Sequence, residues 1–595
     1  MTSLRGEPHH DGSPRYLEPG PYALGDTVTA RIRVPDACGT TRLRLRTTPD
    51  AEPAIVDADV DAHEPGATWW RVDVEVSMPV TNYRFLLEGG ALGRCWLNGA
   101  GVFHHDVNDD ADFRVTTAPL PPGWLTHTTG YQIFIDRFAN SGAQRDVPDW
   151  AIPQQWGDPI RNVRGVRARQ WYGGDLPGIE QHLDHLEHLG VTMIYLTPFF
   201  PAGSMHRYDA STFDRVDPAL GGDDGLVSLV AAAHRRGIRV IGDITLNHTG
   251  DRHEWFTTGR DDAGAVERAY YFFDDREPDG YVAWHGVPTL PKLDHRSADL
   301  RRRFYDGAQS VAARYLAEPF DLDGWRVDCA NTTARFGAID DNRDVARTMQ
   351  DTMRAVGDDR WLVAEHCYDA GADLDGTGWH GVMAYQWFTR PLWGWLKGPA
   401  DRSLMAAVEL IDLDGPTMVA AMRHLSANVP WVARQASMTM TDSHDTARLR
   451  TVVEGDETRH LVGLAALFTM PGVPTLFAGS EVGVEGDSID TTRVPFPWDR
   501  VGDDRAFTDR IRDLVDLRRR SPALQHGSLR WIDATADSVT FVREHDSEVV
   551  VVHLVRAECD DVVVACADLG LPSGAGTAIT LAGTPGYVVH TYPID

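Results

Sequence analysis

The stretch that predicts the fold most clearly is Ile238-Arg-Val-Ile-Gly-Asp243-Ile-Thr-Leu-Asn247-His248. The first part, 238–241, is a short apolar run that indicates a buried parallel strand. Chemically active side chains follow at once, beginning with Asp243. This order places a carboxylate at the C-terminal end of a strand, which is where barrel enzymes hold their chemistry.

Three further segments later in the chain also contain reactive side chains. They are Gly324-Trp-Arg326-Val-Asp328, Ala364-Glu365-His366 and Ser443-His444-Asp445, and strands are predicted at 362–364 and 438–440 before the last two. Successive carboxylates are 85, 37 and 80 residues apart. One strand-and-helix unit of an eightfold barrel takes about 30 to 40 residues, so the segments fit strands three, four, five and seven. The sequence therefore predicts an α/β fold, a (β/α)8 TIM barrel with an insertion after strand three.

Composition favours a large enzyme without polyanionic partners. At 595 residues the chain exceeds a single hydrophobic core and is expected to form three or four domains. Its formal charge of −30 argues against binding to nucleic acid or to an anionic membrane. The first residues lack the apolar core of a secretory signal, so a cytoplasmic location is expected. Six cysteines show no Cys-x-x-Cys spacing, and free thiols are the simpler interpretation.

In this order, the four segments resemble the signature segments of glycoside hydrolase family 13, the α-amylase family. The resemblance implies that Asp328 is the nucleophile, Glu365 the acid and base, and Asp445 the stabiliser of the transition state. A retaining glycosidase needs two carboxyl groups about 5 to 5.5 Å apart, which neighbouring strand ends can supply. Arg326 projects to the same face as Asp328 and is expected to keep that carboxylate ionised.

The resemblance also implies a set of sugar-binding residues. His248 and His444 match histidines that hydrogen-bond the sugar before the cleaved bond, and Tyr208 matches a tyrosine that stacks under the same sugar. Further predicted substrate contacts are His206, Arg326, Asn331 and His366. Asp243 and Asn247 are expected to support the site rather than react.

Changes in composition divide the chain into three regions. Residues 1–122 contain alternating segments such as Arg71-Val-Asp-Val-Glu-Val76, which predict a β-sandwich. The barrel is expected at 123–520, with an inserted domain at about 249–299, and a second β-sandwich at 521–595. The first sandwich resembles the starch-binding-type module of the neopullulanase, cyclomaltodextrinase and maltogenic amylase subgroup. That resemblance implies a homodimer formed through the N-terminal domain.

The insertion is rich in aromatic residues. They are Trp255, Phe256, Tyr270, Tyr271, Phe272, Phe273 and Trp284. Aromatic faces stack on the apolar faces of sugar rings, but more than half of these residues are expected simply to form the core of the insertion. The resemblance implies that the insertion forms one wall of the substrate cleft.

Some segments support the subgroup and others depart from it. Leu290-Pro-Lys292-Leu-Asp294 resembles a subgroup segment, and Lys292 is one of only two lysines in the chain. After the predicted nucleophile the chain has Cys329-Ala-Asn331-Thr, and after the predicted acid it has His366-Cys367, where the subgroup has other residues. These differences leave the preference between α-1,4 and α-1,6 bonds open.

The subgroup's calcium loop is also altered. Here it runs Asn140-Ser-Gly-Ala-Gln-Arg145-Asp146, with further positions at Gly173 and Asp175. Calcium takes six to eight oxygen ligands, and a guanidinium supplies none. Arg145 is therefore predicted to take the place of the ion by pairing with Asp146 or Asp175. No cofactor is expected to be required, and calcium is an alternative that this loop disfavours.

The expected function is retaining hydrolysis of short or cyclic malto-oligosaccharides, of the cyclomaltodextrinase type, with maltose as a product. Cyclic saccharides with α-1,6 links are expected among the substrates. A glucanotransferase on the same scaffold is one alternative, and an ordinary α-amylase or neopullulanase is another. A catalytically silent carbohydrate-binding protein is the alternative from a different class, but such proteins usually lose catalytic carboxylates, and here all three are present.

Overall fold

The computed structural model describes residues 4–398, 410–571 and 576–594, and its centre is a barrel of eight parallel strands. In chain order the barrel strands are Gly130–Ile133, Met193–Leu196, Arg239–Ile244, Gly324–Val327, Trp361–Ala364, Gly381–Val382, Met438–Thr439 and Val473–Phe477. Successive strands pair in parallel, and the first also pairs with the eighth. A parallel bridge between Met383 and Met438 closes the ring between strands six and seven. The predicted barrel is confirmed.

Helices join the barrel strands and cover the outside. The described α-helices are Leu176–Gln181, Leu183–His188, Gly222–Arg235, Glu254–Asp261, Ala298–Phe304, Val311–Leu316, Asn342–Val356, Arg390–Leu396, Gly415–Ser426, Trp431–Gln435, Leu449–Val452, Glu457–Thr469, Arg505–Arg520 and Pro522–His526. In Asn342–Val356, the buried residues Val345, Met349 and Met353 recur every four positions, so one stripe of the helix joins the main core. Among the described helices, none combines the length and the apolar character needed to cross a bilayer.

The barrel strands are apolar because both of their faces are buried. Successive side chains point to opposite faces of a strand. On strand five, Trp361 and Val363 join one cluster with Met193 and Ile241, whereas Leu362 belongs to the large cluster that includes the surrounding helices. The packing leaves the strand ends as the place where polar side chains gather.

Two antiparallel sheets precede the barrel. One contains Thr27–Pro35, Ala67–Glu75 and Asp59–Glu64, in that order, and the other contains Ala54–Asp57, Arg42–Thr47, Val80–Gly89, Gly93–Asn98 and Gly101–Phe103, with Phe113–Thr116 also paired to Val80–Gly89. The alternating residues Leu43, Leu45, Val72 and Val74 point into a shared core between the sheets. The predicted N-terminal β-sandwich is confirmed.

A second β-rich domain follows the barrel. Its larger sheet contains Ser528–Ala534, Ser538–His545, Glu548–Val555 and Gly586–Pro593, and Val562–Ala565 pairs with Ala578–Leu581 in a smaller sheet. Ile532, Val551 and Val564 share its core. The predicted C-terminal β-sandwich is confirmed.

The first residues of the chain do not stay within the N-terminal sandwich. Arg5 Nη2 lies 2.8 Å from Asp533 Oδ1 in the C-terminal domain. Asp11 Oδ2 accepts the N–H of Leu529, also at 2.8 Å. A second ion pair, 2.8 Å long, joins Glu7 to Arg423 on a barrel helix. This segment therefore ties all three parts of the protein together.

Candidate active site

Asp328 and Glu365 lie side by side because their strands are neighbours in register. Strand four ends at Val327 and strand five at Ala364, and these two residues are direct partners. The Glu365 N–H donates to the Val327 carbonyl oxygen at 2.9 Å. Neighbouring strands lie about 4.8 Å apart, so the two carboxyl groups start from adjacent points on the barrel rim. Both residues are buried, with 6 % and 9 % of their surface exposed.

One guanidinium connects the carboxylates of the site. Arg326 is fully buried on strand four. Its Nη1 donates to Asp328 Oδ1 at 2.9 Å and to the two Asp243 oxygens at 3.0 and 3.1 Å. Its Nη2 lies 3.0 Å from Glu365 Oε2 and 3.8 Å from Asp445 Oδ2. A single buried cation therefore offsets the mutual repulsion of these carboxylates.

Burial raises the pKa of both central carboxyl groups above the usual values. Burial raises the pKa of Glu365 to about 7, against the opposing charge of Arg326 and with help from the charge of Asp328. Burial likewise raises the pKa of Asp328 to about 6, again opposed by Arg326. Because two neighbouring anions repel each other, ionisation of one of these carboxyl groups favours retention of the proton on the other. A protonated acid beside an ionised carboxylate is the combination that retaining glycosidase chemistry requires.

Asp445 is kept ionised by its neighbours. Burial acts to raise its pKa, but the neighbouring cations Arg493 and Arg326 lower it below the usual value. Arg493 Nη2 donates to Asp445 Oδ1 at 2.8 Å, and its Nε donates to the His444 carbonyl oxygen at 2.8 Å. His444 Nε2 lies 3.0 Å from Asp445 Oδ2. Because burial lowers the pKa of His444 to about 3, that ring is neutral, and Arg493 supplies the charge.

Gln132, on the first barrel strand, fixes the orientation of His444. Its amide Nε2 donates to His444 Nδ1 at 2.7 Å, and its Oε1 accepts the His444 N–H at 3.2 Å. Since Nδ1 accepts, the ring proton of neutral His444 lies on Nε2. That nitrogen faces Asp445 and lies 2.7 Å from the Tyr208 hydroxyl.

Tyr208 forms a flat surface beside this histidine. Its ring stacks on His444 with the centroids 5.6 Å apart and an interplanar angle of 5°, and His206 stacks on Tyr208 at 5.8 Å. The Tyr208 hydroxyl donates to Asp243 Oδ2 at 2.9 Å, and the Tyr195 hydroxyl donates to the same oxygen at 2.6 Å. With Arg326 also bound, Asp243 is fully engaged in holding the site.

His248 lies at the end of strand three with one free ring nitrogen. Its Nδ1 is 3.0 Å from Asn247 Nδ2, whereas its buried Nε2 has no hydrogen-bond partner among the described residues. A ring nitrogen of His248 lies within 4.8 Å of an Asp328 carboxylate oxygen. Trp284 stacks against the His248 ring at 5.6 Å. The His248 ring thus lies beside the Asp328 carboxylate.

His366 and Asn331 lie in a rim of ion pairs beside the carboxylate cluster. His366 Nε2 is 3.1 Å from Asp373 Oδ2, and His366 is 4 % exposed. Arg335 donates to both Asp373 oxygens, at 2.8 and 2.9 Å, and to the Asn331 carbonyl oxygen at 2.9 Å. These contacts of the His366 ring and the Asn331 carbonyl oxygen are structural, and they join the loops after strands four and five.

The backbone N–H of Cys329 is a hydrogen-bond donor to Glu365. Its backbone is left-handed, with φ at +46°, which few residues other than glycine adopt. Its N–H donates to Glu365 Oε2 at 2.7 Å. On the other side, Cys367 Sγ is 3.9 Å from Glu365 Oε1. Burial raises the pKa of both thiols well above the usual range, so both are protonated near neutral pH.

The aromatic residues of the insertion are mostly buried, but the core they join is that of the barrel and not the separate core of the insertion that the sequence predicts. Trp255, Phe256, Tyr270 and Tyr271 are buried and belong to the main hydrophobic cluster. Trp284 differs, because it is only half-buried and faces His248. It is the residue of this group that contacts the candidate site.

The altered calcium loop is held by an ion pair. Of the two predicted partners of Arg145, the structure shows Asp175, whose Oδ2 accepts from Arg145 Nε and Nη2 at 3.0 and 2.8 Å. Asp175 Oδ1 accepts the N–H groups of Ser141 and Gly178. Asn140 Oδ1 is bonded within its own loop, to the Gly142 N–H. A set of donors that includes a guanidinium does not fit a calcium ion.

Gln132 and Arg493 are functional contacts that the sequence patterns do not predict. Gln132 lies in the buried strand Gly130–Ile133, where a polar residue in an apolar run is a usable signal. Arg493 follows strand eight in an irregular loop, and nothing in its local sequence distinguishes it from other arginines.

Comparison with known proteins agrees with this geometry. The family model described as the alpha amylase catalytic domain matches residues 132–523. A cyclomaltodextrinase of Geobacillus thermopakistaniensis is 29 % identical over 509 residues, covering 82 % of this chain and 80 % of that protein. Neopullulanase 2 of Thermoactinomyces vulgaris is 29 % identical over 484 residues, covering 79 % and 76 %. The cyclic α-maltosyl-(1→6)-maltose hydrolase of Arthrobacter globiformis, in its ligand-free structure, aligns with a TM-score of 0.69 and 27 % identity, covering 80 % of this chain and all of that chain.

Proposed function

The chain belongs to the α-amylase family, glycoside hydrolase family 13, and we propose that it hydrolyses short and cyclic malto-oligosaccharides with maltose as a product. It is a glycoside hydrolase of the cyclomaltodextrinase, maltogenic amylase and neopullulanase type, and its family retains the anomeric configuration. We assign α-1,4 bonds as its main target and the α-1,6 bonds of cyclic maltosyl-maltose as a second one. The names of the Geobacillus and Arthrobacter relatives support these substrates.

The observation that carries the proposal is the pair Asp328 and Glu365 held by one buried guanidinium. Asp328 attacks the anomeric carbon while Glu365 gives its proton to the leaving oxygen, which forms a glycosyl ester and frees the first product. Ionised Glu365 then takes a proton from water, the water oxygen attacks the anomeric carbon, and the ester bond to Asp328 breaks. The raised pKa of Glu365 suits both the acid step and the base step.

The remaining residues act on the charge and position of the sugar. Positive charge develops on the ring as the glycosidic bond breaks, and ionised Asp445 opposes it at short range. Neutral His248 donates its Nε2–H to a sugar hydroxyl, neutral His444 holds Asp445 and the Tyr208 hydroxyl in place through its Nε2, and the Tyr208 ring supports the apolar face of the sugar. A site that presents anions and hydrogen-bond donors in this way binds the transition state more tightly than the ground state.

A homodimer through the N-terminal sandwich and an intracellular location complete the proposal. Edge strands of both N-terminal sheets expose apolar side chains, with Ile55, Val56 and Val60 each 46 % exposed. Exposed apolar edges of this kind favour association between chains. A 28 % identical relative from Bacillus subtilis is named an intracellular maltogenic amylase, and an enzyme in that location meets imported short oligomers rather than starch granules. Analytical ultracentrifugation of the wild type and of Val56→Glu tests the dimer, which a monomeric wild type would contradict.

The function is tested by product chromatography on a panel of substrates. The panel contains γ-cyclodextrin, a cyclic saccharide with alternating α-1,4 and α-1,6 links, pullulan, maltotetraose and soluble starch, with Asp328→Asn as the inactive control. Faster cleavage of both cyclic substrates supports the proposal. Faster cleavage of starch or pullulan would indicate an α-amylase or a neopullulanase instead. Longer or branched products at high acceptor concentration would indicate a transferase, and binding without turnover would indicate a silent carbohydrate-binding protein.

A further inference from the structure

Lys292 is a buried lysine that the mechanism above does not use. It is 6 % exposed and lies at the end of the insertion, where its backbone forms a bridge with that of His248. Its Nζ donates to Asn247 Oδ1 and, at 2.8 Å, to the carbonyl oxygen of Thr332. Burying an ammonium group is costly unless its hydrogen bonds are made, so these two contacts fix where the group lies.

An ammonium group carries donors and no acceptor, and this fact sets the orientation of Asn247. The carbonyl end of the Asn247 amide must face Lys292, which leaves its NH2 end to face His248 Nδ1 at 3.0 Å. An NH2 group only donates, so Nδ1 must be the accepting nitrogen of the ring. Burial lowers the pKa of His248 to about 3, and a neutral ring with an accepting Nδ1 carries its single proton on Nε2.

We propose that Lys292 is a positioning residue that, through Asn247, locks His248 into the tautomer with its proton on Nε2. The free Nε2 is buried, has no partner among the residues the structure describes, and belongs to a ring with a nitrogen within 4.8 Å of the Asp328 carboxylate. It therefore presents a hydrogen-bond donor to an oxygen of the bound sugar. This inference rests on the proposed function for the identity of that ligand, but the tautomer itself does not depend on it.

The same lysine also couples two loops of the site. Thr332, whose carbonyl oxygen it binds, closes the turn that starts at Cys329, and the Thr332 N–H donates to the Cys329 carbonyl oxygen at 3.0 Å. Cys329 in turn donates its N–H to Glu365. Lys292 thus connects the donor histidine to the turn that holds the acid.

The Asn247→Asp variant distinguishes a role in setting the His248 tautomer from a role in merely supporting the loops. A carboxylate in this place accepts from Lys292 and can only accept from His248, so it forces the ring proton onto Nδ1 and removes the donor on Nε2. The new ion pair with Lys292 should hold the loops at least as well as the amide does. We expect kcat/KM on γ-cyclodextrin to fall by about 10²- to 10³-fold, the scale of losing one transition-state donor, with an unchanged or higher Tm. A kcat/KM within about threefold of wild type would overturn the proposal, because a merely supporting Asn247 tolerates this change.

Lys292→Met provides the second variant, and Lys397→Met is its matched control. Lys397 is also buried, and its Nζ pairs at 2.9 Å with Asp412, an exposed carboxylate that is not part of the site. Lys292→Met frees the Asn247 amide to rotate and should lower kcat/KM by at least about tenfold, whereas Lys397→Met should leave kcat/KM unchanged. Equal losses in both lysine variants would show only a general cost of removing a buried ammonium and would contradict the proposal.

Nitrogen-15 NMR of histidine-labelled protein reads the tautomer directly. His248→Gln identifies the signals, and we expect a protonated Nε2 and an unprotonated Nδ1 in the wild type, reversed in Asn247→Asp. A protonated Nδ1 in the wild type would refute the lock even if the enzyme is active. If no glucan is cleaved at all, the proposed function fails, while the NMR result still decides the tautomer.

Discussion

Arg493→Met is the substitution that tests most sharply how the site controls its charges. The side chain of Arg493 is 6 % exposed and makes two charge-assisted contacts, with Asp445 and with the His444 carbonyl oxygen. Each hydrogen bond to a charged group contributes about 1.5 to 3 kcal/mol, and removing one partner of a buried pair costs about 3 to 5 kcal/mol. We therefore expect the free energy of unfolding, measured by urea titration at pH 7, to fall by about 3 to 5 kcal/mol.

The activity of this variant should change with pH in a defined direction. In the wild type the pKa of Asp445 is lowered, so its contribution to stability is present above the unfolded-state pKa and is lost as pH falls through the folded-state pKa. Without Arg493, one of the cations that lower the pKa of Asp445 is lost, and this pKa rises. Asp328, whose pKa is about 6, sets the acid limb of the wild type, so we expect the pKa of Asp445 in the variant to rise above this value and the acid limb of kcat/KM to move to higher pH. At pH 7, kcat/KM should fall by about 10²- to 10³-fold.

The assay is initial rates on γ-cyclodextrin from pH 4 to 9 with wild type, Arg493→Met and a surface control. Arg276→Met is the control, because Arg276 makes the same kind of ion pair, with Asp274 at 2.6 Å, but its side chain is 89 % exposed. Exposed pairs contribute little to stability. An acid limb that does not move in Arg493→Met, together with kcat/KM within about threefold of wild type, would refute the reasoning.

Three further outcomes are expected. Asp328→Asn should abolish turnover but keep the affinity for maltotetraose by calorimetry within about tenfold, and appreciable residual activity would remove Asp328 as the nucleophile. For the wild type, kcat/KM should fall as pH rises through about 7, because Glu365 must be protonated to donate; a rate that is flat from pH 6 to 9 would contradict that role. EDTA, followed by calcium, should leave the melting temperature unchanged because Arg145 neutralises Asp175, and a large shift would show that the loop binds calcium after all.

The sequence predicts the barrel and its central carboxylates because both follow from short-range patterns. Glu365 follows an apolar run, and its spacing of 37 residues from Asp328 matches one strand-and-helix unit. Parallel register then brings the two together without further information. The predicted β-sandwiches follow equally from alternation along single strands.

The contacts that tune the site are less visible in the sequence. Arg493 acts on Asp445 from 48 positions away, and Gln132 acts on His444 from 312 positions away. Such contacts depend on the closure of the barrel and on loop conformation, neither of which leaves a local pattern. His366 is a predicted substrate contact for which the sequence misleads. It directly follows Glu365 in the chain, but its ring is bound to Asp373, and this contact is visible only in the structure.

The segment that starts at Leu4 has a consequence for how the protein comes apart. Arg5, Glu7 and Asp11 connect the first residues to the C-terminal sandwich and to a barrel helix. Separating either sandwich from the barrel therefore breaks contacts between this N-terminal segment and the C-terminal sandwich. Domains joined through such a shared segment lose their structure cooperatively, so heating should produce one calorimetric transition instead of three. Excising the N-terminal region to obtain a smaller enzyme would also remove the contacts of Arg5 and Asp11 that stabilise the C-terminal sandwich.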